Sequence, residues 1–219
     1  MKSRVVVIGL GNFGSAAAEE LTLAGHDVLA MDSSGAAVDR VAPNCSRAIV
    51  ADGRSAKTLE RIGATEADVG IVSTGDDITA SILATMALKD VKVRDIYVKV
   101  ISGEHKRVME KLGVTDTIFP ERESGQRLAT RVGSRAILNY VRLGPDFGVQ
   151  EMAVPEPWIG KSLKALDLTR RHRVMVVAVH HNLTDEVESP PNPEAELTES
   201  DSLFVAGRDD DLERAARLD

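Results

Sequence analysis

The sequence predicts an α/β protein: a doubly wound, parallel-sheet domain of the Rossmann type, followed by a smaller α+β domain. Three observations predict it. Short β-branched runs alternate with helix-length segments through the first 120 residues. A glycine-rich turn, Gly9-Leu10-Gly11-Asn12-Phe13-Gly14, joins the first run to the first helix, and Asp32 ends the second run. Beyond about residue 145 the alternation stops and the charge changes. Residues 1–150 carry 19 Lys+Arg and 19 Asp+Glu, so the net charge of −7 lies entirely in the remainder of the 219 residues.

The elements follow in order. Val5-Val6-Val7-Ile8 is a continuous β-branched run, as expected of a parallel strand buried on both faces. Ser15 to Leu21 reads as a helix that stops at Gly25. Asp27–Asp32 is a second strand, and Ser33 is placed to cap a short helix ending near Val41. Strands at 48–50, 69–73, 96–100 and 117–119 alternate with helices at 55–62, 78–89 and 106–112. Glu121 to Val141 then reads as one long helix, and Leu143 to Gly148 as a turn-rich break. Strands at 149–154, 174–179 and 203–206, a short helix at 162–168 and a terminal helix at 209–218 complete the chain. The expected organisation is a nucleotide-binding domain at 1–120, a connecting helix and hinge at 121–145, and a small α+β domain at 146–219.

The glycine turn carries the chemistry. Gly9 permits the tight turn, Gly11 leaves room for a diphosphate against the backbone, and Gly14 lets the helix approach the sheet. Asn12 and Phe13 open the helix, whose N-terminus offers unpaired N–H groups to phosphate. Asp32 is expected to accept hydrogen bonds from the adenosine ribose and to repel a 2′-phosphate. NAD(H), ATP and ADP all remain compatible. Asp52, Thr74 and Gly75 sit at further strand ends facing the same crevice. Asp52 reads either as a contact to the adenine edge or as a turn-forming residue, and Lys99 either reaches a phosphate or snorkels to the sheet's edge.

Several functions find little support. Aromatic residues make up 3% and the charge is acidic, which disfavours a nucleic-acid partner. The single Cys45 forms no disulfide framework within the chain, which fits a reducing cytosol. The amino end has no signal-peptide pattern, and no apolar run approaches the ~20 residues of a membrane span. Tyr97 and Tyr140 are followed four places on by Ile101 and Gly144, so neither forms a Tyr-x-x-x-Lys pair. No zinc-like Cys/His cluster and no Walker-type phosphate loop is recognised. His180 and His181 read as surface histidines on opposite faces of a strand. A nucleotide sensor is favoured, with a small NAD-dependent oxidoreductase as the alternative.

Val7–Gly14, Gly25–Val28, Met31-Asp32, Lys111–Val114, Phe119-Pro120-Glu121 and Gly125–Ala129 together resemble the regulator-of-K⁺-conductance (RCK) family. The similarity is to its TrkA/KtrA-type gating subunits of Trk/Ktr potassium transporters. The resemblance implies a cytoplasmic homodimer that assembles into an octameric ring under a membrane-embedded K⁺ channel subunit. Nucleotide then sets the ring's shape without catalysis. It further implies that Glu121, which reads otherwise as an acid favoured at a helix start, helps hold a divalent cation near the phosphates. In some members, it implies, cyclic di-AMP binds between two copies of the small domain, with Arg173, His181 and Pro191 as candidates here. Asn12 stands where several ATP-responsive members carry an arginine that reaches the γ-phosphate; Arg127, Arg131 and Arg135, on one helix face, read either as substitutes for it or as a solvated stripe.

Overall fold

A computed structural model describes residues 2–133 and 137–217. The chain divides into two compact units, Met1–Glu121 and Arg122–Asp219.

The first unit alternates strand and helix: β1 (Arg4–Ile8), α1 (Asn12–Leu23), β2 (Asp27–Asp32), α2 (Gly35–Val41), β3 (Arg47–Val50), α3 (Ala56–Arg61), β4 (Val69–Val72), α4 (Ile78–Asp90), β5 (Asp95–Lys99), α5 (Gly103–Leu112) and β6 (Asp116–Ile118). The six strands form one parallel sheet in the order β3-β2-β1-β4-β5-β6. The β-branched run of β1 is apolar throughout because both of its faces are covered. Val6 and Ile8 point to one layer, with Met31, Val72 and Leu88. Val5 and Val7 point to the other, with Val28, Ala30 and Val38. The strand order reverses between β1 and β4, so a crevice opens at the carboxyl ends of β1 to β4.

In this unit three helix starts are closed by their own side chains. Ser55 accepts from Thr58 N (3.3 Å) at α3, Asp77 from Ala80 N (2.8 Å) at α4, and Ser102 from His105 N (3.1 Å) at α5. Helix α1 is different. Its cap residue is Gly11, no side chain caps it, and its first turn holds no acid. The cap expected of Ser33 is not made. Helix α2 is preceded by Ser34, whose N–H donates to Asp32 Oδ1 (2.8 Å), so Asp32 shapes this entry instead.

The second unit contains most of α6 (Pro120–Gly133), then β7 (Ile137–Arg142), β8 (Phe147–Ala153), α7 (Leu163–Leu166), α8 (Leu168–Arg171), β9 (Met175–His181), β10 (Glu186–Glu188), β11 (Asp201–Arg208) and α9 (Asp209–Ala216). Its antiparallel sheet runs β10-β9-β11-β8-β7. Met152, Leu203 and Val205 pack with Trp158, Leu212 and Ala215.

Two expectations are corrected here. The helix expected over 121–141 is α6 followed by a strand, because residues 137–142 pair with β8. Tyr140, in that strand, donates its hydroxyl to Asp209 (2.7 Å). The break at 143–148 is the tight turn of the β7–β8 hairpin, with Leu143 N donating to Phe147 O (2.9 Å). The single helix expected at 162–168 is two short turns, separated where Asp167 adopts a left-handed φ of 46°.

Candidate functional site

The site starts with three glycines, and only two of them are there for packing. A Cβ on Gly9 would lie 2.1 Å from Ser73 O, and one on Gly14 would lie 1.9 Å from Gly9 O. Gly9 also holds φ at +93°, which disfavours any L side chain. A Cβ on Gly11 would meet nothing within 4 Å. Its bareness therefore serves the space in front of the helix rather than the fold.

That space is a cleft of about 410 Å³, lined by Ile8, Gly9, Gly11, Asp32, Asp52, Thr74 and Gly75 among others. Asp32 is held at its edge by two backbone donors: Leu10 N to Oδ2 (2.7 Å) and Ser34 N to Oδ1 (2.8 Å). Each carboxylate oxygen keeps a further lone-pair direction for an incoming hydroxyl. Phosphate at the α1 N-terminus and a diol at Asp32 are therefore compatible with one extended ligand.

The structure brings together Gly9, Gly11, Asp32, Asp52, Thr74 and Gly75. Gly14 lies behind this wall, packed on Gly9. Asn12 and Phe13 form the first turn of α1 and are not among the residues lining the cleft. Asp52 is committed to Arg54: Arg54 Nε donates to Oδ1 (2.8 Å), Nη2 to Oδ2 (2.9 Å), and Arg54 N to Oδ1 (3.0 Å). These bonds hold the Asp52 carboxyl below its ordinary range. Lys99 is not among the residues lining the cleft, and its Nζ pairs with Glu121 Oε1 at 2.7 Å. Hydrogen bonding from Lys99 likewise keeps Glu121 low. Among the described residues no group of three His, Cys, Asp or Glu is placed to hold a metal ion. The side chains of Arg127 and Arg131, and all of Arg135, lie outside the described residues. Sequence reasoning missed Ser33 and Arg54 in the cleft wall. Arg54 was legible as a cation two places beyond a strand-end aspartate.

The second unit holds a different cluster. His180 Nδ1 lies 3.3 Å from Glu151 Oε1, and its Nε2 lies 3.1 Å from Asp185 Oδ1. His181 Nδ1 lies 2.9 Å from Asp201 Oδ1. Both histidines are therefore paired with carboxylates rather than being plain surface residues. Buried Glu151 also accepts from Ser202 Oγ (2.8 Å) and Asn139 Nδ2 (2.7 Å). Burial pushes its carboxyl up, but the bonds from Asn139, Ser202 and His180 outweigh this and leave it below the ordinary value. The Glu151 and Asp185 contacts raise His180. Arg173 and His181 lie at opposite ends of β9, roughly 25 Å apart. Pro191 lies two places beyond Ser189, whose hydroxyl donates to Val177 O (3.0 Å). Within one copy these three do not converge. Gly160-Lys161-Ser162 spells the end of a Walker-type loop, which the sequence reading passed over. Pro155 stands where its first glycine belongs, and Ser162 is used up capping four-residue α7 through Ala165 N (3.3 Å).

Residues 5–120 match the TrkA-N domain family and residues 149–218 the TrkA-C domain family. The chain belongs to the TrkA family. The cleft lies in its TrkA-N domain and the histidine cluster in its TrkA-C domain. Ktr system potassium uptake protein A of Bacillus subtilis (strain 168) is 30% identical over 208 residues, covering 95% of this chain and 93% of its own. The protein of the same name from Vibrio alginolyticus is 32% identical over 206 residues, covering 94% and 93%. In fold, the TrkA-N/TrkA-C chain is similar to the GsuK channel, with a TM-score of 0.72 at 15% identity; the match covers 100% of this chain and 39% of that one. The chain thus spans well under half of the GsuK channel polypeptide. No helix among the described residues is long and apolar enough to cross a membrane.

Proposed function

We propose that this chain is a nucleotide-sensing gating subunit of a K⁺ uptake system. In this reading it binds an adenine nucleotide in the TrkA-N cleft and acts through conformation rather than catalysis. The observation that carries the proposal is the pairing of an uncapped α1 N-terminus with a backbone-fixed Asp32 across one cleft. The bare position at Gly11 fits a diphosphate, because nothing of the protein occupies the space its side chain would fill. The α1 N–H groups would hold the phosphates, and Asp32 the ribose diol. Support for the K⁺ system comes from relatives of near-identical length that are named potassium uptake proteins.

Among the cleft's lining, Asp32, Asp52 and Asp77 are acidic, and the one cationic side chain, Arg54, is engaged by Asp52. This balance favours ligands with two phosphates, ADP or NAD(H), over a triphosphate unaccompanied by a cation. A divalent cation brought with the nucleotide would use Glu121, displacing Lys99. The reading does not extend to cyclic di-AMP held by Arg173, His181 and Pro191. The subunits are proposed to pair and close into an octameric ring on the cytoplasmic side of a Trk/Ktr-type channel. A ligand shifts such a ring only by the ratio of its affinities for two ring shapes: a hundredfold ratio moves the equilibrium by about 2.7 kcal/mol.

The test is calorimetric titration with ADP, ATP, NAD⁺ and NADH, alongside light scattering and small-angle X-ray scattering of the same samples. Micromolar binding of at least one of them, by an assembly whose dimensions change on binding, is the expected result. A monomer indifferent to all four would overturn the proposal.

A further inference from the structure

Arg54 sits at one particular station of the cleft. The strand order β3-β2-β1 sets three positions side by side at the carboxyl ends: the α1 N-terminus after β1, Asp32 at the end of β2, and Asp52 with Arg54 after β3. Neighbouring strands are about 4.8 Å apart, so the β3 station lies roughly 10 Å from the phosphate station. That separation is too great for a phosphate contact and suits the base of a nucleotide whose ribose is at Asp32. The cleft lining includes no Phe, Tyr, Trp or His to stack a base. It does include a guanidinium held in a fixed plane, because Asp52 grips it through two parallel N–H···O bonds of 2.8 and 2.9 Å. The loop itself cannot drift inward. A Cβ on Gly53 would come within 2.4 Å of Ile8 Cγ2, so the backbone is seated directly on the β1 side chain. Asp77, the cap of α4, adds a weaker attraction to Arg54.

We propose that Arg54 is the stacking platform for the adenine ring and that Asp52 is a positioning residue that sets its plane. This assignment rests on the nucleotide reading given above. Of the two sequence readings of Asp52 it takes the turn-forming one: the carboxylate accepts from Arg54 N and grips the guanidinium instead of meeting the adenine edge. Arginine suits the task because its planar, delocalised cation lies flat on an aromatic face while its N–H edge stays bonded to a carboxylate. Lysine offers the same charge without the plane.

The experiment uses the full-length chain and its Arg54→Ala, Arg54→Lys, Asp52→Asn and Asp32→Ala variants. ADP affinity is measured by calorimetry, and base stacking by the fluorescence of 1,N⁶-etheno-ADP. Arg54→Ala is expected to weaken ADP about fivefold to thirtyfold, the range of a cation–π contact between exposed and desolvated. The same change should abolish quenching of the etheno base. Arg54→Lys is expected to recover only a minor part of the affinity and none of the quenching. Asp52→Asn should fall between wild type and Arg54→Ala, with quenching diminished. Wild-type affinity in Arg54→Ala, or full recovery by Arg54→Lys, would overturn the proposal while leaving the site intact if Asp32→Ala still loses ADP. A wild-type protein that binds no adenine nucleotide would overturn the nucleotide reading itself.

Discussion

Replacing Gly11 by valine and, separately, Gly14 by alanine should damage opposite properties. At Gly11 the backbone is extended, with φ −69° and ψ −172°, which a β-branched residue adopts without strain. Its Cβ enters open space. Two stability terms then nearly cancel. Losing glycine restricts the unfolded chain and stabilises by about 0.4–1 kcal/mol. Placing an aliphatic residue at a helix N-cap costs about as much. The unliganded melting temperature should therefore move by no more than a few degrees. Binding should collapse, because the added carbons fill the volume in front of the α1 N–H groups. Losing two charge-assisted bonds at about 1.5 kcal/mol each weakens Kd more than a hundredfold. Gly14→Ala reverses the pattern. Its Cβ starts 1.9 Å from Gly9 O, a backbone atom that cannot swing aside, so helix and turn must part. Overpacking of this kind costs about 1–3 kcal/mol, a drop of several degrees. Differential scanning calorimetry without nucleotide, because bound ligand would stabilise and obscure the difference, and titration calorimetry with ADP separate the two effects. Near-wild-type ADP affinity in a folded Gly11→Val protein would refute the placement of phosphate at α1.

Asp32→Ala should weaken ADP, ATP and NADH together by about tenfold or more, since all share the adenosine ribose and each lost hydrogen bond to a charged group is worth about 1.5–3 kcal/mol; wild-type affinity for all three by titration would contradict this. Lys99→Met should tighten Mg²⁺ binding in the presence of ADP roughly fivefold, by releasing Glu121 from its 2.7 Å ammonium partner; unchanged Mg²⁺ affinity would remove Glu121 as a ligand. The TrkA-C cluster predicts a pH optimum. His180, raised above its ordinary 6.5, contributes stability that is full below that value and lost as pH rises through its folded value. Glu151, lowered from 4.5, contributes stability present above that value and lost as pH falls through its folded value. Unfolding followed by circular dichroism should thus show His180→Gln flattening the decline above pH 6.5 while keeping the acid limb; an unaltered alkaline limb would count against the pairing.

The TrkA-N half was legible because its signals are local. A doubly buried strand must be apolar at every position, as β1 is, and a phosphate turn must be glycine where backbones touch. The second half gave weaker signals. The arginines at 127, 131 and 135 continue a helical spacing past Gly133, and this masked the strand that starts at Ile137. Strand β10, Glu-Val-Glu, is too short and acidic to stand out; it exists because β9 offers it an edge. The site residues left with two readings share another cause. Asp52 and Lys99 each carry a charge at a strand end, and charge alone does not reveal a partner. Arg54 lies two residues from Asp52, and Glu121 lies on another element from Lys99.

Trp158, the chain's one tryptophan, is sealed within the TrkA-C core, its ring 5.5 Å from that of His172. Indole emission therefore watches the carboxyl-terminal half alone, whereas the far-ultraviolet amide signal sums over the whole polypeptide. One unlabelled sample yields two melting curves. Whether they superimpose decides if the halves come apart as a single cooperative block or one after the other.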